Sequence, residues 1–364
     1  MITANKSLSW GLVVATYKRE KVLPLCLKLA VEQTRKPKEI IVIDASPYWE
    51  HTRDTVMAEI ASKNSDIRWV YNAAEKPSLT LQRNQGLKLA TTDIVFLLDD
   101  DSLMYPTCAE EIMRVYEADT KGEIKGVQTN AVDTPPSDAE ISDSKKQTGG
   151  EGESGGKLQS SNAFRWVWKH LFLMDTGMLF IPYDGEFPKY EIPASVRNLN
   201  VQTAQLFQGY RMTYRREAIL QEPFEPLLRY YAAGEDMDAS HRVSRHGPLC
   251  VALDANLHHF QSASGRLPRF KVSALSALNQ ALFLRKYSSD LQRIKQSYYR
   301  LMARRIVAEV LKDALSRRWS LPQARGLLVA LKHSPKLFAL PDEELAEWYP
   351  YFQQEFLVSD RLID

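Results

Sequence analysis

The chain has 364 residues, 44% of them hydrophobic and 25% charged, with a formal net charge of +2. That length holds one large domain or two with ample core, and the composition excludes an intrinsically disordered or fibrous chain. No uninterrupted apolar run is long enough to span a bilayer, and Met1 to Trp10 lacks the apolar core of a signal peptide. Cys26, Cys108 and Cys250 lie far apart without metal or redox spacing, and read as free thiols in a reducing compartment. The expected location is therefore cytoplasmic, with attachment at the inner membrane face left open.

In chain order, Trp10 to Ala15 (WGLVVA) reads as a strand that ends at Thr16-Tyr17-Lys18-Arg19-Glu20. A helical pattern follows from Val22 to Val31. Glu39 to Ile43 is a second strand, ending at Asp44-Ala45-Ser46, with a helix around Arg53 to Ser62. Ile67 to Tyr71 is a third strand. Leu79 to Leu89 reads as a helix carrying Arg83-Asn84-Gln85-Gly86-Leu87. The fourth strand runs through Ile94-Val95-Phe96-Leu97-Leu98, five apolar residues that imply burial on both faces. Alternating strands and helices predict a mostly parallel sheet flanked by helices.

The fourth strand ends at Asp99-Asp100-Asp101. Three adjacent carboxylates repel one another and are costly to desolvate unless something positive sits among them. A divalent cation shared with a phosphate-bearing ligand would serve, because hard metals take oxygen ligands. The plain alternative is a solvated acidic loop. In parallel sheets, ligands bind outside the carboxyl ends of the strands. Three polar clusters, at Thr16, Asp44 and Asp99, end three strands along that one edge, although each alone could be turn or cap chemistry. No Gly-rich phosphate loop follows the first strand.

Gly126 to Ala131 reads as another strand. From Thr134 to Asn162 the composition turns to Gly, Ser and charge, which implies a disordered segment or a flap. Phe164 to Ile181 brings Trp166, Trp168, Phe172, Met174 and Phe180, as a strand-and-turn segment or an aromatic wall facing an acceptor. In Leu206 to Arg216 (LFQGYRMTYRR) the glycine suggests a close backbone approach, and a helix is expected to begin near Arg215 to Glu217. Gly234-Glu235-Asp236-Met237-Asp238 then enters a helix with more carboxylates than a cap needs. Cys250 to Leu253 is a short strand leading to Asp254-Ala255-Asn256-Leu257-His258-His259, followed by Ser262, Ser264 and Arg266.

Past residue 266 the strands stop. Val272 to Lys286, Leu291 to Arg318, Leu321 to His333 and Glu343 to Phe356 read as helices. Leu291, Ile294, Tyr298, Leu301, Val307, Leu311 and Leu315 trace roughly one face of the second. Between Arg266 and Lys336 sixteen Lys or Arg face three acids, and from Leu337 onward seven acids face one Arg. The basic stretch is either a solvated face or a footprint for anionic lipid headgroups or a diphosphate-bearing acceptor. No nucleic-acid-binding module is visible.

The segments VVATYKRE, EIIVIDAS, LQRNQGLKLATTDIVFLLDDDS, FQGYRMTYRRE, GEDMDASHRV and LHHFQSAS, spanning about residues 10 to 265, resemble the family 2 glycosyltransferases of the A-type fold. The resemblance implies an α/β fold with a mostly parallel sheet flanked by helices. Residues 1–265 would form a nucleotide-sugar-binding domain with an insertion at about 134–163, and 266–364 a basic helical region. It implies that Thr16, Tyr17 and Arg19 lie near the nucleotide base, that Asp44 accepts a hydrogen bond from a uracil or thymine ring, and that Arg83 lines the nucleotide's side of the cleft. Asp99 would lie near the ribose and Asp101 would bind Mn2+ or Mg2+, with Asp100 between them on the donor side. Asp236 would be the catalytic base, with Glu235 as its alternate. His259 would be a further metal ligand, or His258 in its place, since strand alternation aims adjacent rings to opposite faces.

The implied activity is inverting transfer of a hexosyl or deoxyhexosyl group from a UDP-, dTDP- or GDP-linked donor to a hydroxyl of a glycan or lipid-linked acceptor, in bacterial surface polysaccharide synthesis. A nucleotidyltransferase would be expected to carry a Gly-rich, basic stretch after the first strand, which is not evident. A non-catalytic cation-binding module would have no need of the Glu235-Asp236 cluster. The strand end Asp-Ala-Ser departs from the Asp-Asp-Gly-Ser of many relatives.

Overall fold

Four strands, β1 (Trp10–Thr16), β2 (Glu39–Asp44), β3 (Arg68–Ala73) and β4 (Ile94–Asp99), alternate with three helices, α1 (Leu23–Val31), α2 (Trp49–Glu59) and α3 (Leu79–Leu89). The computed structural model describes residues 7–137, 179–230, 232–261, 267–315 and 317–358. Most of the Gly/Ser-rich insertion, the aromatic stretch from Phe164 up to 178, and Ser262, Ser264 and Arg266 lie outside them.

The four strands pair in parallel, in the order β3-β2-β1-β4. Side-chain alternation splits their apolar residues between two cores. Leu12, Val14, Ile40, Val42, Phe96 and Leu98 enter one, while Val13, Ile41, Ile43, Val95 and Leu97 enter the other. Each fully buried side chain of this size contributes about 1.5–3 kcal/mol. Gly86 lets α3 seat on β1, because a Cβ there would collide with the side chain of Val13.

The register sets the site. Thr16 is opposite Asp44 across β1 and β2, and Ala15 is opposite Asp99 across β1 and β4. The three polar strand ends therefore stand side by side. At the other end of the sheet, Glu39 is buried and accepts hydrogen bonds from the backbone N–H groups of Thr91 and Thr92 (2.7 and 2.9 Å) and from both threonine hydroxyls. Arg68 pairs with it at 2.7 Å.

The sheet continues through β5 (Ser102–Met104), β6 (Gly126–Val132), β7 (Val201–Ala204), β8 (Arg211–Arg215) and β9 (Leu249–His259). Antiparallel β8 joins β4 to β6, and β9 runs parallel to β6. Both β7 and β5 pair antiparallel with β9. The helices of this half are α4 (Cys108–Ala118), α5 (Arg216–Gln221) and α6 (Glu235–Ser244).

Two expectations change here. Arg211–Arg215 is a strand, with α5 following it directly, where the sequence suggested only the helix onset. The late strand does not stop at Leu253. It runs to His259 across an irregularity, with Thr129 opposite Ala252 and Asn130 opposite Asn256. Asp254 and Asn256 resemble turn residues, but they accept side-chain hydrogen bonds from Asn200 and Asn130. The elements β5, β7 and α4 have no counterpart in the sequence reading.

The described residues fall into two compact units, one within Met1–Glu140, Pro188–Arg229 and Glu235–Gly265, and the other within Ile141–Phe187, Tyr230–Gly234 and Arg266–Asp364. All nine strands belong to the first. The second contains α7 (Arg269–Tyr287), α8 (Leu291–Leu315), α9 (Pro322–Ala339) and α10 (Asp342–Val358). In the second unit α9 packs along α7, and the Tyr349 hydroxyl of α10 donates to Asn279 Oδ1 of α7 at 2.6 Å. The single apolar face expected on α8 holds only in its first half. Ile294, Tyr298 and Leu301 are buried, whereas Val307, Leu311 and Leu315 are exposed. Buried in their place are Met302, Arg305, Ala308, Glu309 and Asp313.

Candidate active site

The site is built where β1, β2 and β4 end. Thr16 is buried and its hydroxyl donates to Asp100 Oδ2 at 2.7 Å. Lys18 takes a left-handed backbone conformation (φ 54°), and its N–H donates to Ser46 Oγ at 2.7 Å, tying the two strand-end loops together. Tyr17 is about half exposed. Asp44 is 2% exposed. One of its oxygens accepts from the Ser46 N–H and the other from the Tyr71 hydroxyl, both at 2.7 Å. Burial and the Asp44 carboxylate push the Tyr71 phenol up, so it remains a donor. Asp44 thus braces the end of β2, and contact with a nucleotide base would use lone pairs these bonds leave over.

The acidic triplet divides in two. Asp100 turns inward to Thr16, and burial, with Asp101 adding to it against the Thr16 hydroxyl and Arg19, pushes its carboxyl up to about 7. Asp99 and Asp101 stay together with His259, their ligand atoms all within 4.8 Å of one another. Asp101 Oδ1 is 3.1 Å from His259 Nε2, and Asp101 Oδ2 is 3.5 Å from Arg19 Nη1. That Arg19 nitrogen is buried and makes no hydrogen bond among the described residues. Pairing of β5 with β9 sets Ser102 opposite His259, which brings the imidazole to the triplet. His258 turns the other way, with Nδ1 3.0 Å from the Val132 carbonyl.

Two carboxylates and an imidazole form a donor set that suits Mn2+ or Mg2+. A cation would also relieve the repulsion between Asp99 and Asp101, so the residues present fit a divalent metal. The Tyr210 ring stacks on His259 with centroids 4.2 Å apart and planes 12° apart. The Tyr210 carbonyl accepts from Ser102 Oγ at 2.7 Å. Neither contact is legible in the sequence, because stacking between residues 210 and 259 depends on pairing that no local pattern encodes.

Arg83 joins this group to the carboxylates of α6. It is 1% exposed. Its Nη2 donates to Asp99 Oδ1 (2.8 Å) and to the Gly209 carbonyl (3.0 Å), while Nη1 donates to Glu235 Oε1 (2.6 Å). Three of its five N–H groups are thus held by acceptors within the protein. The Gly209 N–H donates to Asp236 Oδ2 and the Met237 N–H to Asp236 Oδ1, both at 2.8 Å. A side chain at Gly209 would press on Glu235 Oε1 at 3.2 Å, which explains the glycine flagged in the sequence. Burial raises both Glu235 and Asp236, mutual repulsion adding to it at Glu235 and Arg83 opposing it at both. Asp238 is fully buried and paired with Arg242 at 2.7 Å, a structural ion pair within the helix. Of the three carboxylates, Asp236 alone is only half-buried.

The fold is that of the A-type glycosyltransferases. Among solved structures, GalNAc-T7 with UDP, GalNAc and Mn2+ superposes with a TM-score of 0.51 at 13% identity, covering 79% of this chain and 50% of that one. The mannosyltransferase PcManGT from Pyrobaculum calidifontis, in complex with GDP-Man and Mn2+, matches at TM-score 0.46 and 14% identity over 97% of this chain and 88% of that one. S. aureus TarS 1–349 in complex with UDP-GlcNAc matches at TM-score 0.45 and 13% identity, over 96% and 91%. A sequence comparison with curated proteins found no match. Residues 12–175 match the family model for glycosyl transferase family 2.

Proposed function

We propose that the protein transfers a sugar from a nucleotide-diphosphate donor to an acceptor hydroxyl, with inversion at the anomeric carbon. The observation that carries this reading is the joining of two groups by Arg83: the Asp99, Asp101 and His259 cluster on one side, and Glu235 with its neighbour Asp236 on the other. Asp99, Asp101 and His259 would hold Mn2+ or Mg2+, so Asp99 belongs with the metal set rather than with the ribose alone. When bound, the cation offsets charge on the departing diphosphate. Arg19 lies beside Asp101 with an unsatisfied guanidinium nitrogen, which favours a contact with the donor's phosphates over one with its base.

Asp236 takes the proton of the acceptor hydroxyl while that oxygen bonds to the anomeric carbon and the bond to the diphosphate breaks. Its position supports this role. Glu235 is held against Arg83 and Asp238 against Arg242, whereas Asp236 is fixed by two backbone N–H groups at the edge of the cluster. Tyr17 and Thr16 would border the nucleotide, with Asp44 behind them. The acceptor reading, a glycan or lipid-linked hydroxyl in bacterial surface polysaccharide synthesis, is supported by the sequence resemblance alone. So is the division into a transferase part up to residue 265 and an appended helical part.

Incubation with a panel of UDP-, dTDP- and GDP-sugars and Mn2+ tests the reading, with nucleotide-diphosphate release as the signal. No release with any donor would overturn it. Asp101→Ala should abolish Mn2+-dependent donor binding, measured by calorimetry. Asp236→Asn should bind donor normally but lose transfer by at least about 100-fold, the low end for a general base. Normal turnover in that variant would move the base to Glu235.

A further inference from the structure

The solvent-facing stripe of α8 changes character along its length. Residues four apart lie on one face of a helix. Arg300 and Arg304 are exposed, and on the same side follow Val307, Leu311 and Leu315, at 52%, 41% and 51% exposure. Trp319, just past the helix, is 74% exposed. The stripe from Arg300 to Leu315 is about 22 Å long at 1.5 Å per residue. It is cationic in its first half and apolar in its second.

The acids have been removed from this surface. Of the three between residues 267 and 336, Glu309 and Asp313 are buried, which leaves Asp290 exposed among the described residues. Arg317, beside Trp319, is exposed as well. Burying two carboxylates while exposing a valine and two leucines runs against the usual partition. The cost is recovered if the face is covered by something apolar and anionic.

We propose that this stripe lies against an anionic lipid surface, with Val307, Leu311 and Leu315 at the acyl boundary and Arg300 and Arg304 among headgroup phosphates. Charge complementarity selects this occupant. A protein partner would need acids to match the arginines, whereas a bilayer supplies phosphates and hydrocarbon at adjacent depths. Tryptophan is the residue favoured at that depth. No helix among the described residues is long and apolar enough to cross a membrane, so the contact is one of surface attachment. The proposal goes beyond the transfer reading and does not depend on it.

The test is flotation of the full chain with vesicles of phosphatidylcholine alone and of phosphatidylcholine with about one third phosphatidylglycerol, the latter composition chosen to supply a negative surface. Binding to the anionic vesicles only, weakened by salt, is expected. Arg304→Gln should lower the partition coefficient about fivefold, the equivalent of about 1 kcal/mol per basic residue. Leu311→Asp should lower it by at least about tenfold. Both positions are exposed, so far-ultraviolet circular dichroism and melting should be unchanged, as should donor hydrolysis in solution. Equal binding to both vesicle types, absence of binding, or wild-type binding by folded Leu311→Asp would each overturn the proposal. So would a dimer in light scattering that Leu311→Asp dissociates without any vesicle binding, which would make the stripe a contact between copies.

Discussion

Tyr210 and His259 show what a single residue contributes to the site. An imidazole that ligates a metal must hold its ring plane, and the stacked phenol restricts that plane from one side. The phenol is held in turn by its own backbone carbonyl, which accepts from Ser102 next to the acidic triplet. Residues that orient metal ligands usually cost 10–100-fold in affinity when lost. Tyr210→Ala is therefore expected to weaken Mn2+ binding about tenfold, with Tyr210→Phe close to wild type, as followed by calorimetry without any donor. Equal loss in both variants would point to the hydroxyl rather than to the aromatic face. Asp99, Asp101 and Asp236 were legible in the sequence because each sits in a dense acidic motif at a strand end or helix start. Tyr210 was not, because nothing in its own neighbourhood marks it as the partner of His259. Arg83 was a candidate in the sequence as well, but the partners it bonds were not. Its partners Asp99, Glu235 and Gly209 lie on a strand, a helix and a loop that meet only after folding.

At the scale of elements, the parallel strands could be read because each is a continuous apolar run between polar ends, and α3 spans the expected Leu79–Leu89. The short strands β5 and β7 have three and four residues, too few to show a period. The second half of α8 shows how periodicity can mislead: its apolar and charged rows are each four residues apart, and spacing alone does not say which row faces inward. Glu39 fastens the start of β2 to the turn before β4. Its burial tends to raise the carboxyl, but the N–H groups and hydroxyls of Thr91 and Thr92 outweigh this and hold it below the usual range. With the folded pKa below the unfolded one, the unfolded chain binds more protons in that window. The stability Glu39 contributes is then present above the unfolded pKa of about 4.3 and is lost as pH falls through the folded value. Glu39→Gln should destabilise the protein by about 1–3 kcal/mol at neutral pH, with a smaller difference from wild type in acid, as read from urea unfolding at several pH values. An equal difference at every pH would mean that the charge of Glu39 is immaterial.

For the whole molecule, the cysteines give a probe of integrity. Cys26, Cys108 and Cys250 are all buried and free. Burial pushes each thiol up, Cys250 to about 12, and at Cys26 the acidic triplet adds to it. A thiol is reactive only as the thiolate. The native protein should therefore react with Ellman's reagent only as fast as it opens, and in denaturant all three thiols should titrate at once. Fast reaction of even one in the native state would show local opening near that cysteine. Sequence spacing sufficed to read these thiols as free, since a disulfide or metal site needs proximity that their separation gives no sign of.

Arg83 fixes a length inside the protein. Its guanidinium is a rigid plane, and two nitrogens of that plane hold carboxylates carried by different elements, Asp99 at the end of β4 and Glu235 at the start of α6. The gap between those carboxylates is thereby spanned by a rigid plane and one hydrogen bond at each end. A packed core breathes with temperature, but a guanidinium does not stretch. The arginine acts as a gauge block, and small shifts of α3 carry both acids with it. A lysine would keep the charge and lose the ruler, because one nitrogen cannot set a distance between two partners.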